Sequence, residues 1–525
     1  MVSFSYRVKG IFRDRSGDLL VIALIALYCI SYAALRLLVS RSMELDEAQQ
    51  FVAGAYLHLG YPRQAPLYNW IVWLVSLPFG KNLATLIAVK YSLIFIFYST
   101  FYITARSFWD VRQSLLITGT LLLFTTYTYE FNRDLNNTVL AAAMAAITLF
   151  FYVRILLTGK TGYYILLGLA AGLGVLSKYN FVLLLAAMLL ASLSTAAGRR
   201  AVLNGNISLS VLPCALVLSP HMGWLLDDNS PPVRYAVSLA RIGGLRDCSL
   251  PGLLSFIGAA YAEVIVFLSV TLLLIGRRLS RRKDEKNPVM RAFRLVAFYG
   301  LAIPLAGIIA FSPAHFQSRW LAPVFFTLPL ALFSLVEIRP GEAGFKLLGY
   351  ICLGVAAAVF AARFFVGFFP DAVGKVERIQ IPYKALCAQL QGGLRAAGIK
   401  DPRGIDVISG PDDDYVAGNV MAELPGSKFL PEADAISGAR VVGPMLGRGG
   451  LFVWDVKRHG EAPPVRFLGA FPGATVRILS SPYLHSRKFP PYRLGVIIIP
   501  PRQSAPGIKG GGLWGRAQNG HGERS

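Results

Sequence analysis

Residues 19–70 read LLVIALIALYCISYAALRLLVSRSMELDEAQQFVAGAYLHLGYPRQAPLYNW. The first part, 19–39, carries one charge, Arg36, and as a helix it is long enough to cross a hydrocarbon core about 30 Å thick. Backbone groups find no water there, so the segment must be helical. Residues 40–65 turn polar and acidic, with Glu44, Asp46 and Glu47, and belong outside the bilayer. From Pro66 the chain is apolar again, but only to Pro78-Phe79-Gly80. That length, about fourteen residues, is short for a crossing, so this stretch is read as an interfacial or partly inserted helix.

The rest of the chain extends this pattern. Of 525 residues, 54% are hydrophobic and 15% charged, too apolar for a soluble globular protein. The net charge of +23 would suit a nucleic-acid partner, but the basic residues sit between apolar stretches, as cytoplasmic loops do under the positive-inside rule. Arg7, Lys9, Arg13 and Arg15 then lie on the inner side, with Arg106, Arg112, Arg154, Lys160, Arg199, Arg200 and the run from Arg277 to Arg294. The neighbourhood of Asp134, Lys178 to Asn180, residues 226–250 and Ser312 to Arg319 fall outside. With helices near 83–105, 113–129, 320–337 and 345–367 included, the chain should make about eleven crossings. Cys29, Cys214, Cys248, Cys352 and Cys387 are scattered, without a CxxC, and imply neither zinc nor a disulfide framework.

After Pro370 the composition changes. Short strand-like runs, Gly404–Ser409, Leu451–Val456 and Leu494–Pro500, alternate with Pro/Gly-rich stretches, and Tyr383 to Ala397 has an apolar stripe at helical spacing. The expected organisation is an all-α polytopic membrane domain over 1–369, a small outer-face α/β domain over 370–502, and a disordered tail over 503–525. Gly510 to Gly512 read as a linker, since no strand–helix context makes them a phosphate loop.

The first outer loop combines LDEAQQ (45–50), a surface helix, and the re-entry QAPLYNW (64–70). An acidic pair, a surface helix and a Pro-Leu-Tyr-x-Trp re-entry resemble the first outer loop of the protein O-mannosyltransferase superfamily, of the GT-C membrane fold. Its bacterial members include the aminoarabinose and galacturonic-acid transferases that modify lipid A and core lipopolysaccharide. The resemblance runs over roughly 40–335 and rests on the order of elements. It implies a polyprenyl-phosphate-sugar donor, a glycolipid acceptor such as lipid A or lipopolysaccharide core, and a site on the periplasmic face of the bacterial inner membrane. Residues 63–65 are Arg-Gln-Ala, where Glu-Lys-Pro is usual in the aminoarabinose group, and this speaks against an aminoarabinose donor.

An acceptor hydroxyl loses its proton as it attacks the anomeric carbon, and a positioned carboxylate takes it. The resemblance assigns that role to Asp46, with Glu47 either a partner or a solvated helix-start residue. Asp134, at the mouth of a helix, is either its N-cap or a second carboxylate orienting acceptor or base, kept ionised by Arg133. The leaving polyprenyl phosphate needs fixed cations. Arg319, in an Arg-Trp-Leu-x-Pro stretch similar to the family's Arg-Tyr-x-x-Pro element, is the first choice. Lys178, His315, Arg63 and the hydrogen-bonding Gln64 complete the phosphate set, and Tyr68 and Arg133 are assigned to substrate. For Lys178 the plainer reading is a lysine snorkelling to the interface, and for His315 a structural histidine. No cofactor is expected; His221, Asp227 and Asp228 could hold a divalent cation, but their spacing matches no metal motif.

A carrier or flippase for a lipid-linked sugar should have internal repeats and broken helices with ionisable residues at mid-membrane. No repeat is found, and the candidate polar residues cluster at helix ends on one side. The expectation is a transferase working by one in-line displacement with inversion, its sugar open among galacturonic acid, mannose and other hexoses. The carrier, a protein O-glycosyltransferase and a non-catalytic assembly protein are the alternatives.

Overall fold

The computed structural model describes residues 14–61, 64–226, 250–275, 280–281, 287–311, 317–337, 343–399, 401–409, 413–431, 449–463 and 473–501. Within these the chain forms two compact units, one of residues 1–382 with 482–490 and one of 383–481 with 491–525. The second unit thus starts at Tyr383, where the composition shift had suggested 370, and the chain returns to the first unit over 482–490.

The first unit is a helical bundle. Its leading helices are α1 (Arg15–Val39), α2 (Leu45–Ala53), α3 (Leu67–Phe79), α4 (Leu83–Arg106), α5 (Val111–Gly119), α6 (Phe131–Arg133) and α7 (Asn136–Thr158). They are followed by α8 (Thr161–Ser177), α9 (Val182–Leu193), α10 (Ala196–Val202), α11 (Ser208–Leu225), α12 (Leu250–Ile275) and α13 (Pro288–Phe311). An apolar segment α14 (Ala322–Leu335) and the helix α15 (Ala343–Phe368) close the bundle. Seven of the described helices are long and apolar enough to cross a bilayer, and an eighth span would be the pair around Tyr179–Leu193 and Ala196–Val202, bent by 119°. The expected total of about eleven would need some of the shorter apolar helices to cross as well. The 113–129 stretch, read as one helix, instead breaks into α5, a 3-10 turn over Thr120–Leu123 and a π-turn over Thr126–Glu130.

α1 illustrates how the bundle faces its surroundings. Leu19, Leu24, Leu27, Ile30 and Leu38 are exposed, whereas Val21, Cys29, Tyr32, Leu35 and Val39 are buried. An exposed leucine stripe on a helix of this length is a lipid-facing surface. α8 and α11 approach closely because Gly168 has no side chain; a Cβ there would stand 2.1 Å from the Ser210 carbonyl oxygen.

A buried ion pair fixes the relative direction of α1 and α4. Arg106, at the end of α4, donates from Nε to Asp18 Oδ1 at 2.6 Å at the start of α1, and Tyr102 donates to the same oxygen at 2.6 Å. The two helices are therefore antiparallel, and the connection 40–82 begins and ends at the same end of the bundle. α2 and α3 lie within it. At 13 residues α3 spans only about 20 Å, in keeping with a helix that does not cross.

The second unit is a five-stranded mixed sheet flanked by helices α16 (Tyr383–Ala396) and α17 (Asp414–Glu423). A two-residue pair in the first unit supplies β1 (Ser280–Arg281) and β2 (Val336–Glu337), so the sheet strands are β3 (Asp406–Ser409), β4 (Lys428–Pro431), β5 (Gly450–Asp455), β6 (Thr475–Ser481) and β7 (Tyr492–Ile499). Their order is β4-β3-β5-β7-β6, with β3 parallel to β4 and β5, and β7 antiparallel to β5 and β6. β5 is buried along its whole length, as a central strand covered on both faces requires. Ile408, Phe452, Trp454, Ile497 and Ile499 form its core, and α16 buries the stripe Leu386, Leu390 and Leu394. β4 and β6 had no clear strand signal in the sequence. The tail expected from 503 lies outside the described residues.

Candidate active site

The site begins where α1 ends. Arg36 donates from Nε to Glu47 Oε1 at 3.1 Å and from Nη2 to Glu47 Oε2 at 2.5 Å, and also to the Ser40 and Ser42 carbonyls at 3.0 and 2.6 Å. Glu47 accepts the Glu44 N–H at 2.9 Å, the return bond of a capping box that starts α2. Burial works against the charge on Glu47, but Arg36 more than offsets it and leaves the carboxyl below its usual range. Glu47 is thus neither a solvated helix-start residue nor a free base. It anchors the loop that presents Asp46.

Asp46 and Asp134 exchange caps. Asp46, in the first turn of α2, accepts the Asn136 N–H on Oδ2 at 3.0 Å, at the first residue of α7. Asp134 Oδ1 accepts the Asp46 N–H at 3.1 Å. Asp134 therefore does not cap the helix that follows it, as the sequence had suggested; the half-buried Asp46 does. Nor does Arg133 hold Asp134 ionised, because Arg133 turns to Glu130 at 3.5 Å and stays partly exposed. Burial pushes the Asp134 carboxyl well above the usual range, and the neighbouring Asp46 and Glu44 add to the shift. Burial also raises Asp46, while Arg319, Lys90 and Lys178 pull it back without cancelling the effect.

The backbone around Asp134 is constrained. Leu135, which follows it, is buried and has φ 64°, a left-handed conformation unusual for leucine. The π-turn Thr126–Glu130 lies just upstream, and Glu263 of α12 binds its Thr126 N–H at 3.1 Å and hydroxyl at 2.7 Å. Tyr127 is tied to the Ala322 carbonyl at 2.7 Å. Strain and π-turns persist where the surroundings over-determine them, and both are enriched at functional sites.

Cations come from the turn after α8. Lys178 donates to Thr138 Oγ1 at 2.8 Å and reaches the Arg319 carbonyl at 3.5 Å, while Asn180 Nδ2 donates to the Trp320 carbonyl. Residues 178–180 are thereby joined to 319–320. Burial and the nearby Arg319 bring the Lys178 ammonium down to about 8. Lys178 does not snorkel to water; it turns inward onto α7. The Arg319 side chain is exposed and donates from Nε to Gln317 Oε1 at 2.7 Å. His221 is a clip: Nδ1 meets the Leu59 carbonyl at 2.8 Å, Nε2 meets the Tyr179 hydroxyl at 3.1 Å, and the ring stacks between Tyr179 and Trp224. Gly60 lies under Trp224, where a Cβ would come within 2.0 Å of the indole. His221 thus has a structural occupation, and Asp227 and Asp228 lie outside the described residues, as do Arg63 and His315.

Beside the aspartates is a group of neutral polar side chains. Gln64 Oε1 accepts from Gln50 at 3.0 Å and Asn137 at 2.5 Å, and its Nε2 donates to Asn69 Oδ1 at 3.3 Å. Tyr68 is fully buried within electrostatic reach of Asp46, Glu47 and Asp134, yet among the described residues its hydroxyl has no partner. The side-chain amide of Asn136, Gln50 Oε1 and Asn69 Nδ2 are also buried and have no partner among the described residues. Buried polar groups are seldom left so, and several together mark a place where a polar ligand completes the hydrogen bonds. Sequence reading had passed over Gln50, Asn136, Asn137, Glu263 and Lys90. For Lys90 a signal was available, a lone lysine in the apolar run LATLIAVKYSLIFIFYSTFYITAR, since an ionisable residue within such a helix is a functional candidate by default.

Known proteins resemble this chain in sequence and in fold. The model of the dolichyl-phosphate-mannose-protein mannosyltransferase family matches residues 63–224, which hold Gln64, Tyr68, Asp134 and Lys178. The lipopolysaccharide core galacturonosyltransferases RgtB and RgtA of Rhizobium johnstonii are 29% and 26% identical, over 90% and 91% of this chain and 96% and 97% of theirs. The chain is a membrane glycosyltransferase of the GT-C type. The crystal structure of ArnT from Cupriavidus metallidurans bound to undecaprenyl phosphate has the same fold as this transferase, with a TM-score of 0.57 at 14% identity over 91% of this chain and 97% of ArnT. The lipid A galacturonosyltransferase RgtD of Rhizobium johnstonii is 25% identical to the transferase over 47% of its length and 52% of RgtD.

Proposed function

We propose that this chain moves a hexuronosyl residue, galacturonic acid in the first instance, from a polyprenyl-phosphate carrier onto a lipopolysaccharide core glycolipid. The reaction would take place at the periplasmic face of the bacterial inner membrane. The observation that carries this reading is the meeting of the Asp46–Asp134 pair with Lys178 and the Arg319 backbone at one end of the bundle. A base and fixed cations are what transfer from a lipid phosphate needs. Both end-to-end relatives bear the name of core galacturonosyltransferases, and the ArnT crystal binds a polyprenyl phosphate, which supports the choice of donor and acceptor.

In this mechanism the acceptor hydroxyl gives its proton to the Asp46 carboxylate as its oxygen bonds to the anomeric carbon. The bond from that carbon to the phosphate oxygen breaks on the opposite face, with inversion. The freed polyprenyl phosphate gathers negative charge, which Lys178 and Arg319 stabilise. Asp134 holds the Asp46 backbone, and its raised affinity for a proton leaves Asp46 as the carboxylate that ionises first. The Arg36–Glu47 pair and the exchange of caps keep Asp46 in register with the cations. The unpartnered Tyr68 and Asn136 are suited to sugar hydroxyls.

Mass spectrometry of envelope glycolipids from cells with and without the gene tests this reading. Loss of a uronic acid from the lipopolysaccharide core, with the lipid-linked sugar accumulating, is the expected result. An unchanged core would overturn it.

A further inference from the structure

Lys90 has no part in the mechanism above. It is 1% exposed and lies on the buried face of α4, with Leu86, Ile87, Ile94 and Phe97 as its neighbours along the helix, all fully buried. α4 packs against both α2 and α7, the helices whose starts carry Asp46 and follow Asp134. The Lys90 ammonium is within electrostatic reach of Glu47, Asp134 and Asp46. Among the described residues, however, no carboxylate comes within the 4.0 Å of a direct ion pair with it. Each of those acids has another occupation, Glu47 with Arg36 and the two aspartates with backbone N–H groups.

A buried ammonium without a close counter-ion is costly in an apolar interior, and such a group is kept where a ligand completes it. The phosphate already has cations. Lys178 lies against Thr138 and the Arg319 carbonyl, and its charged neighbours are Arg319 and Asp46 rather than Lys90. Two separate cationic groups thus share Asp46 as a neighbour. A hexuronosyl phosphate has two anionic groups, the phosphate at the anomeric carbon and a carboxylate at the far end of the same ring. A neutral hexose has only the first.

We propose that Lys90 is the specificity-determining residue of this transferase: its ammonium takes the carboxylate of the transferred sugar and so selects a uronic acid over a neutral hexose. The proposal rests on the reading of the chain as a polyprenyl-phosphate-sugar transferase. A neutral sugar would leave the lysine buried and unpaired, and sites built around such a polar contact reject analogues that lack it by large factors.

The test uses the full-length protein in lipid vesicles, with a hexuronosyl and the matching neutral hexosyl polyprenyl phosphate as competing donors. The ratio of their kcat/KM values comes from a single preparation and does not depend on how much of it is folded. The wild type should favour the uronosyl donor by at least about 100-fold. In Lys90→Met the ratio should fall toward one, and in Lys90→Arg the preference should persist. Loss of both donors by the same factor, complete inactivity included, would mean that Lys90 serves the phosphate or the fold, and would overturn the assignment while the transferase reading stands. A wild type that uses neither donor would overturn both. A second measurement needs no variant: hexuronate 1-phosphate should inhibit the wild type at far lower concentration than hexose 1-phosphate, and equal inhibition would overturn the proposal.

Discussion

Asp46 and Asp134, 88 residues apart in sequence, are bound to each other through the backbone: Asp134 holds the N–H of Asp46, and Asp46 holds the start of the helix that follows Asp134. Two carboxylates joined in this way cannot both ionise freely, so the acid side of the pH–rate profile belongs to the pair. Activity should rise with pH through a limb lying above the ordinary carboxylate range. Asp134 keeps its proton while Asp46 ionises, so Asp134→Asn, which is neutral at every pH, should leave that limb in place. A limb that moves down in this variant would mean that Asp134 is the member of the pair that ionises first.

The alkaline side should report Lys178. Its ammonium, brought down to about 8, is charged below that pH and loses its proton above it. The kcat/KM for the lipid-phosphate donor should therefore fall as pH rises past about 8, since this parameter reads the free enzyme. Lys178→Arg keeps its charge at any accessible pH and should shift the fall upward. An unshifted limb would assign the fall to another group.

Much of this was legible in the sequence, for reasons specific to each residue. The apolar length of α1 and α4, the acidic loop between them and the brevity of α3 follow from bilayer thickness alone. Asp46, Asp134, Lys178 and Arg319 were marked by the resemblance to the protein O-mannosyltransferase superfamily, and they sit at helix ends in a chain where charges are sparse. What could not be read was who partners whom. Arg36 is the one charge in the apolar stretch 19–39, and nothing beside it in sequence says that it is buried on Glu47. Asp134 had the look of a cap, but the left-handed Leu135 turns its carboxyl away from α7 and towards the backbone of Asp46. Such pairings depend on how distant segments pack, which no local pattern encodes. The same holds for β4 and β6, the two edge strands, which take their conformation from the sheet beside them.

Arg319 tests the assignment of the phosphate. Arg319→Ala should raise the donor KM by roughly 10- to 100-fold, the loss of a charge-assisted contact. Arg200→Ala, an exposed arginine in α10, should leave donor KM unchanged. Equal effects would show that net charge, not position, governs donor binding.

Glu47 should matter for the fold more than for chemistry. Glu47→Ala leaves Arg36 buried and unpaired and should cost about 3–5 kcal/mol, seen as a lowered unfolding temperature in detergent. Replacing Arg36 and Glu47 together by Met and Leu should recover most of that loss. If the single variant were as stable as wild type but inactive, Glu47 would have to be restored to the reacting groups.

The most direct measurement is transfer by purified Asp46→Asn in vesicles that contain a polyprenyl-phosphate hexuronate and a lipopolysaccharide core acceptor. The asparagine Oδ1 can still accept the Asn136 N–H, so the variant should fold and bind donor as wild type does. Without a base, product formation should fall by about 10²–10⁴-fold. Turnover close to that of wild type would remove Asp46 from the reaction and with it this account of the site.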